Sequence, residues 1–238
     1  MARNRKPTPT RAVIIKAATE LFFEKGFSRT TSTEVSRKAD ISTGNLTFYF
    51  PTKEHILTVL TEMMCDYQWK EMQNQTDEGR SSLLAYCLEL TIMVAISDEI
   101  PEMHDFLTAA YKHSMTLDFI RKNDTEKIKQ VFSDYTVGWS AEKLVETEAL
   151  ISGIEYATLM RTEHSASVEY RIEGALNTIM MLFGVPEELR RIKIKKVLAM
   201  DYRAIGRKIY EEFKKYVTKT NEHALDEVLK YTRIKTYK

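Results

Sequence analysis

This sequence predicts an all-α protein with a small N-terminal three-helix unit of helix-turn-helix type and a larger helical domain behind it. Apolar residues recur at helical spacing along almost the whole chain, Thr and Ser stand just before several of those runs, and no alternating run bounded by turn residues is long enough for a strand. With 238 residues, 43% of them apolar, the chain can bury a sizeable core. No stretch approaches the roughly 18 consecutive apolar residues a membrane-spanning helix needs. The start of the chain is polar and basic, without an apolar run of secretory type. A cytoplasmic protein with no membrane partner is expected.

Helix one is expected from Ile14, Ala17, Ala18, Leu21 and Phe22, started by Thr8-Pro9 or Thr10 and stopped at Gly26. Thr31 stands three residues before Glu34, the spacing at which each side chain can satisfy a free N–H at a helix start, so helix two should run from there to about Ala39. Asp40-Ile41 supplies a tight turn. Ser42 can cap a short third helix carrying Leu46 and Tyr49, which Phe50-Pro51 stops. Thr52 then opens a long fourth helix through Ile56, Leu60, Met64 and Tyr67 to the polar stretch 73–79. Further helices are expected at about 81–97, 102–113, 115–135, 141–163 and 168–183. Another beyond Pro186 carries Ile205, Ile209, Phe213 and Tyr216. The expected division is 1–52 (basic arm and helix-turn-helix), 53–80 (connecting helix), 81–186 (helical ligand-binding and dimerisation domain) and 187–238 (basic helical extension).

The net charge of +1 averages three unlike parts. Residues 1–55 hold ten Lys/Arg against five Asp/Glu, residues 56–186 ten against twenty-one, and residues 187–238 fifteen against eight. A polyanion suits the first part and is repelled by the second. For the basic tail, a solvated helical surface and a second nucleic-acid contact both remain open. Cys65 and Cys87 are two isolated cysteines and read as small buried hydrophobes. His104, His113 and His164 lack a His or Cys neighbour at ligand spacing, and the chain carries no Gly-rich phosphate loop or nucleophile motif. No metal, no cofactor and no enzyme activity are therefore expected.

In the segment 30–50, TTSTEVSRKADISTGNLTFYF, the positions a helix-turn-helix would bury are Val35, Ala39, Ile41, Leu46 and Phe50. A short second helix of this kind can enter the major groove, where base edges carry a distinguishing donor and acceptor pattern, while the first braces it on the backbone. Compact three-helix units also occur in proteins that never touch DNA.

The run from Thr10 to Glu54 resembles the N-terminal domain of tetracycline-repressor-type (TetR family) regulators. The resemblance rests on Thr10-Arg11, Ala17-Ala18, Leu21-Phe22, Glu24-Lys25-Gly26-Phe27, Thr30-Thr31, Val35, Ala39, Ile41-Ser42, Gly44, Leu46, Tyr49-Phe50 and Lys53-Glu54. Asp40 stands where the family usually has Gly, and Thr47 where a Tyr commonly touches phosphate. The resemblance implies a homodimeric, sequence-specific transcriptional regulator, a repressor responsive to a small-molecule effector, on a near-palindromic operator. Control by a protein partner instead of a small molecule is the alternative.

Carried over by position, Thr43, Gly44, Asn45, Thr47 and Phe48 would face the groove. There Asn45 can pair with adenine and Phe48 can meet a thymine methyl. Tyr49, Lys53 and the start of helix two, with Thr31, Ser32 and Thr33, would meet phosphate or a base edge. Thr31 and Ser42 serve equally as helix caps, Lys53 as a solvated lysine, and Phe48 as packing against helix one. Arg3, Arg5, Lys6 and Arg11 would follow the DNA as an arm, or form a disordered terminus. The effector pocket is sought at Met93, Met103, Phe106, Tyr111, Phe119, Phe132, Trp139 and Tyr156, because aromatic and methionine side chains line such sites, although most of these residues also suit plain core. An acidic middle domain favours a cationic or neutral ligand if carboxylates point inward, while surface solvation explains the same count. The dimer face is sought at Ile151, Ile154, Leu176, Ile179, Met180 and Phe183; the competing reading keeps these helices central in a monomer.

Overall fold

The structure is a computed structural model that describes residues 11–76, 82–230 and 232. The basic positions Arg3, Arg5 and Lys6, the Thr8-Pro9 start and the 80/81 boundary lie outside the described residues. Among the described residues there are twelve α-helices, one short 3-10 turn and no strand. None of these helices is long and apolar enough to cross a membrane.

The first three helices, α1 (Arg11–Lys25), α2 (Ser32–Lys38) and α3 (Thr43–Tyr49), form the N-terminal head. Ile14, Ile15, Ala18, Phe22, Val35, Leu46 and Phe50 close its core. Gly26, at φ 93°, ends α1 in the left-handed region, where a side chain is disfavoured. A Cβ there would also stand 2.7 Å from a carboxylate oxygen of Asp105. That carboxylate accepts the Ser28 N–H at 2.7 Å and so ties the head to α6.

Behind the head, α4 (Lys53–Gln75), α5 (Leu83–Glu99), α6 (Pro101–Lys112), α7 (Ser114–Val131), α8 (Ala141–Leu159) and α9 (Val168–Leu182) form the larger bundle. α5 is its axis, buried on nearly every side and touching α4, α6, α8 and α9. Helix seven stops at Val131, short of the expected 135. There Phe132 turns inward to stack on Phe183 at 3.8 Å, and Ser133–Tyr135 forms the 3-10 turn. Helix eight ends at Leu159 rather than 163.

The last three helices do not lie as a decorated outer face. α10 (Glu187–Leu198) and α11 (Tyr202–Lys219) pack on α5, while α11 and α12 (Glu222–Lys230) pack on α1 of the head. Ile209 and Phe213 are buried as the spacing predicts, and Ile205 and Tyr216 are half-buried. Gly206 lets α11 approach α5 so closely that a Cβ would stand 2.9 Å from Ile96 and 3.0 Å from Ile92. Phe23 of α1 meets Tyr210 and Phe213 at 5.2 and 6.1 Å, and Asp226 accepts the Ala12 N–H at 2.9 Å.

Candidate nucleic-acid interface

The reader helix is built from short-range rules. The Glu34 backbone N–H donates to the Thr31 hydroxyl at 3.2 Å, and the Thr31 N–H donates back to the Glu34 carboxylate at 2.8 Å, closing the capping box that starts α2. Lys25 also donates to Glu34, and these partners hold its carboxyl down at about 2. Asp40 carries the turn at φ 51°, a left-handed conformation that Asp tolerates better than most residues. Ser42 caps α3 by accepting the Asn45 N–H at 3.2 Å.

The cap roles of Thr31 and Ser42 are thus observed, and both hydroxyls remain on the exposed side. Thr33, Thr43, Gly44, Asn45, Thr47 and Phe48 are exposed along one rim, with Ser32 half-buried beside them. Leu46 is the buried anchor of α3 and half-buried Tyr49 packs against the core beside it, which leaves the remaining side chains outward. Phe48 is 79% exposed and meets Tyr49 edge-on at 5.2 Å rather than packing against α1. Thr47 is shorter than a Tyr and donates to the Gly44 carbonyl at 3.0 Å.

Lys53 is not an ordinary solvated lysine. Its ammonium donates to the carbonyls of Phe27 and Thr30, both at 2.8 Å, and lies 4.0 Å from the Phe27 ring centre. It pins the loop after α1 to the start of α4.

These residues lie within the stretch that known proteins share. The sequence model of bacterial regulatory proteins of the tetR family matches residues 14–60. The chain is 31% identical over 100 residues to the uncharacterized HTH-type transcriptional regulator YuxN of Bacillus subtilis (strain 168), covering 42% of this chain and 33% of YuxN. It is 34% identical over 76 residues to the HTH-type regulator QacR of Staphylococcus aureus, covering 31% of this chain and 40% of QacR. The N-terminal segment is thus similar to that of tetR-family regulators over residues 14–60. The chain spans less than half the length of these curated relatives in the matched region. Among solved structures, the TetR-family repressor FadR of Thermus thermophilus shares the fold of this chain, with a TM-score of 0.53 at 18% identity over 71% of this chain and 93% of that one.

The second candidate region lies deep in the bundle. A cavity of about 60 Å³ sits among α4, α5, α6, α7 and α8, and its lining includes Met93, Phe106 and Tyr111. Met103 lines a smaller void of about 10 Å³ next to it. Phe119, Phe132, Trp139 and Tyr156 line neither; Phe132 and Trp139 stack on Phe183 instead, and Tyr156 lies 6.3 Å from Tyr111 on the far side. The cavity also draws in Glu89, Asp124, Lys127 and Glu155, which apolar and aromatic content could not nominate. One signal was available: Glu89 is the single charge in the apolar run 83–97.

The proposed dimer residues need correction. Ile151, Leu176, Ile179, Met180 and Phe183 are buried within this subunit and Ile154 is half-buried, because α8 and α9 turn these faces toward α5 and toward each other. The opposite stripe is the open one: Leu150, Gly153 and Ala157 on α8 with Met160 just after it, and Tyr170, Gly174, Asn177 and Met181 on α9.

Proposed function

We propose that this protein is a homodimeric transcriptional regulator whose α3 reads operator DNA in the major groove and whose bundle takes a small-molecule effector. One observation carries the DNA reading: α3 gives Leu46 and part of Tyr49 to the core and presents Thr43, Asn45, Thr47 and Phe48 outward beside Gly44. Hydroxyls and an amide can bond base edges, and an aromatic ring can meet a thymine methyl, so an outward face of this composition suits groove recognition. The exposed stripe of α8 and α9 supports a twofold dimer, since two copies of it would cover apolar surface that one chain leaves to water. Twofold pairing would set the two reader helices ~34–36 Å apart, on successive major grooves.

The cavity supports effector control. α6 carries Phe106, Leu107 and Tyr111 into its lining, and from the same helix Asp105 and Glu102 grip Ser28 and Arg29 of the head. A ligand that shifts α6 would move the reader helix, and it acts only through unequal affinity for the two positions. Repression through loss of operator binding is the regulation this linkage suits.

Selection of bound sequences from random DNA, followed by affinity measurements at several salt concentrations, tests the reading. Enrichment of a near-palindromic site with a steep salt dependence is the expected result. Failure to enrich any such site would overturn it.

A further inference from the structure

Taking the cavity as an effector site, we infer that its ligand is an organic cation. Its ammonium would sit against Glu155 and Asp124, and its apolar part would lie among Met93, Phe106 and Leu107.

In and beside the cavity carboxyls outnumber cations, so part of the carboxyls stay protonated until a positive group arrives. Glu89 from α5, Asp124 from α7 and Glu155 from α8 line the cavity with Lys127 of α7, while Glu148 of α8 and Arg121 of α7 do not line it but interact with the same charges. Lys127 is already committed, donating to both Glu89 oxygens at 2.9 Å and lying 3.0 Å from Asp124. Arg121 donates to the Ser152 hydroxyl at 3.0 Å. Among the described residues Glu155 then has only the Tyr111 hydroxyl, at 2.9 Å, and neither oxygen of fully buried Glu148 has a hydrogen-bond partner. Surplus buried carboxyls are costly in a protein interior unless a positive group comes to meet them.

A second observation lies on the cavity wall itself. Tyr86 and Thr61, each 5% exposed, line the space, and their hydroxyls have no hydrogen-bond partner among the described residues. Buried polar atoms are rarely left so, and these two wait on something that occupies the cavity. Tyr111, Tyr86 and Phe106 add ring faces of the kind that attract an ammonium group. A carboxylate or phosphate ligand would instead meet the carboxyl surplus with its one neighbouring ammonium already shared by Glu89 and Asp124.

At about 60 Å³ the cavity holds only a few heavy atoms. Met64, Met93 and Leu107 form part of both its wall and that of the adjoining 10 Å³ void, so rotation of these side chains would join the two. Methionine is the residue best suited to yield in this way.

The carboxyls here also hold protons that a bound cation would drive off. Burial pushes the Glu148 carboxyl up to about 8 and raises that of Glu155, with Asp124 adding to both and Lys127 opposing. The other titratable groups facing them are Glu89 and Tyr86 from α5, Tyr111 from α6, Arg121 from α7 and Cys65 from α4. A permanently charged ligand should therefore bind more tightly as pH rises toward 8 and should release protons on binding.

Calorimetry on the full chain can test this with three probes of one shape and different charge: choline, tert-butylethanol and tert-butylacetate. Choline is expected to bind roughly tenfold more tightly than the neutral analogue, with the anion weakest. Buffer-dependent heats should show proton release, and Glu155→Gln, which keeps shape and the Tyr111 contact, should erase the preference for charge. Equal or tighter binding of the alcohol or the anion overturns the cation assignment and leaves the effector site standing. If none of the three binds or alters operator affinity at millimolar concentration, the cavity is a water-filled polar pocket and the effector reading falls with it.

Discussion

Lys53 and Asn45 illustrate how similar polar residues at one interface take on different work. Lys53 Nζ spends two of its three protons on the Phe27 and Thr30 carbonyls, whereas Asn45 uses its backbone N–H in the Ser42 cap and keeps its exposed side chain for other bonds. Lys53→Ala should therefore destabilise the head by about 2 kcal/mol, read as a lower melting temperature. Asn45→Ala should leave melting unchanged but cost about 1–3 kcal/mol of discrimination at one base position, read from selected DNA pools. Glu148 gives a pH signature. Unfolded, it loses its proton near 4.5, while in the fold it keeps it to about 8. Between those values the folded state holds more protons than the unfolded one, so stability falls as pH rises through that window. Glu148→Gln should raise the melting temperature more at pH 8 than at pH 5; an equal rise at both would contradict the assignment.

Among the helices, the capped and strongly patterned ones were legible in advance and the closely packed ones were not. Thr31 with Glu34, Ser42, and Gly26 mark the limits of α1 to α3 because caps and left-handed stops act over three or four residues. The end of α7 falls earlier than the spacing predicts because Phe132 and Phe183, far apart in sequence, stack on each other. Both faces of α8 are apolar enough for core, so spacing could not say which one the fold would keep. Gly206 is another long-range choice. Gly206→Val should cost about 1–3 kcal/mol through overpacking against Ile92 and Ile96, despite valine's better helix propensity. Thermal melts would show the loss, and an unchanged melting temperature would mean that α11 can retreat from α5 freely.

In the whole molecule, the C-terminal helices join what the sequence divides. α11 lies between α5 and α1, and α12 covers the start of α1, so the basic tail is part of the frame that holds the head. Part of its charge is spent internally: Arg203 reaches Glu99 and Glu169, and Arg207 reaches Glu99. Cutting the chain after Pro186 should expose Phe23, Ile92 and Ile96, giving strong dye binding and a lost near-ultraviolet signal rather than a well-folded shorter protein. Leu150→Arg with Met181→Arg should leave the fold intact and yield a monomer by sedimentation, since both side chains are more than half exposed in one chain. The sequence by itself determined the helical class, the capped helix-turn-helix and its outward polar rim, because periodicity, caps and turn residues act locally. Only the tertiary structure decided that α10 to α12 brace the head, that Lys53 is a pin, which faces of α8 and α9 stay open, and that carboxyls from three helices surround one cavity. Those outcomes depend on side chains distant in sequence competing for the same space, a competition that no local pattern records.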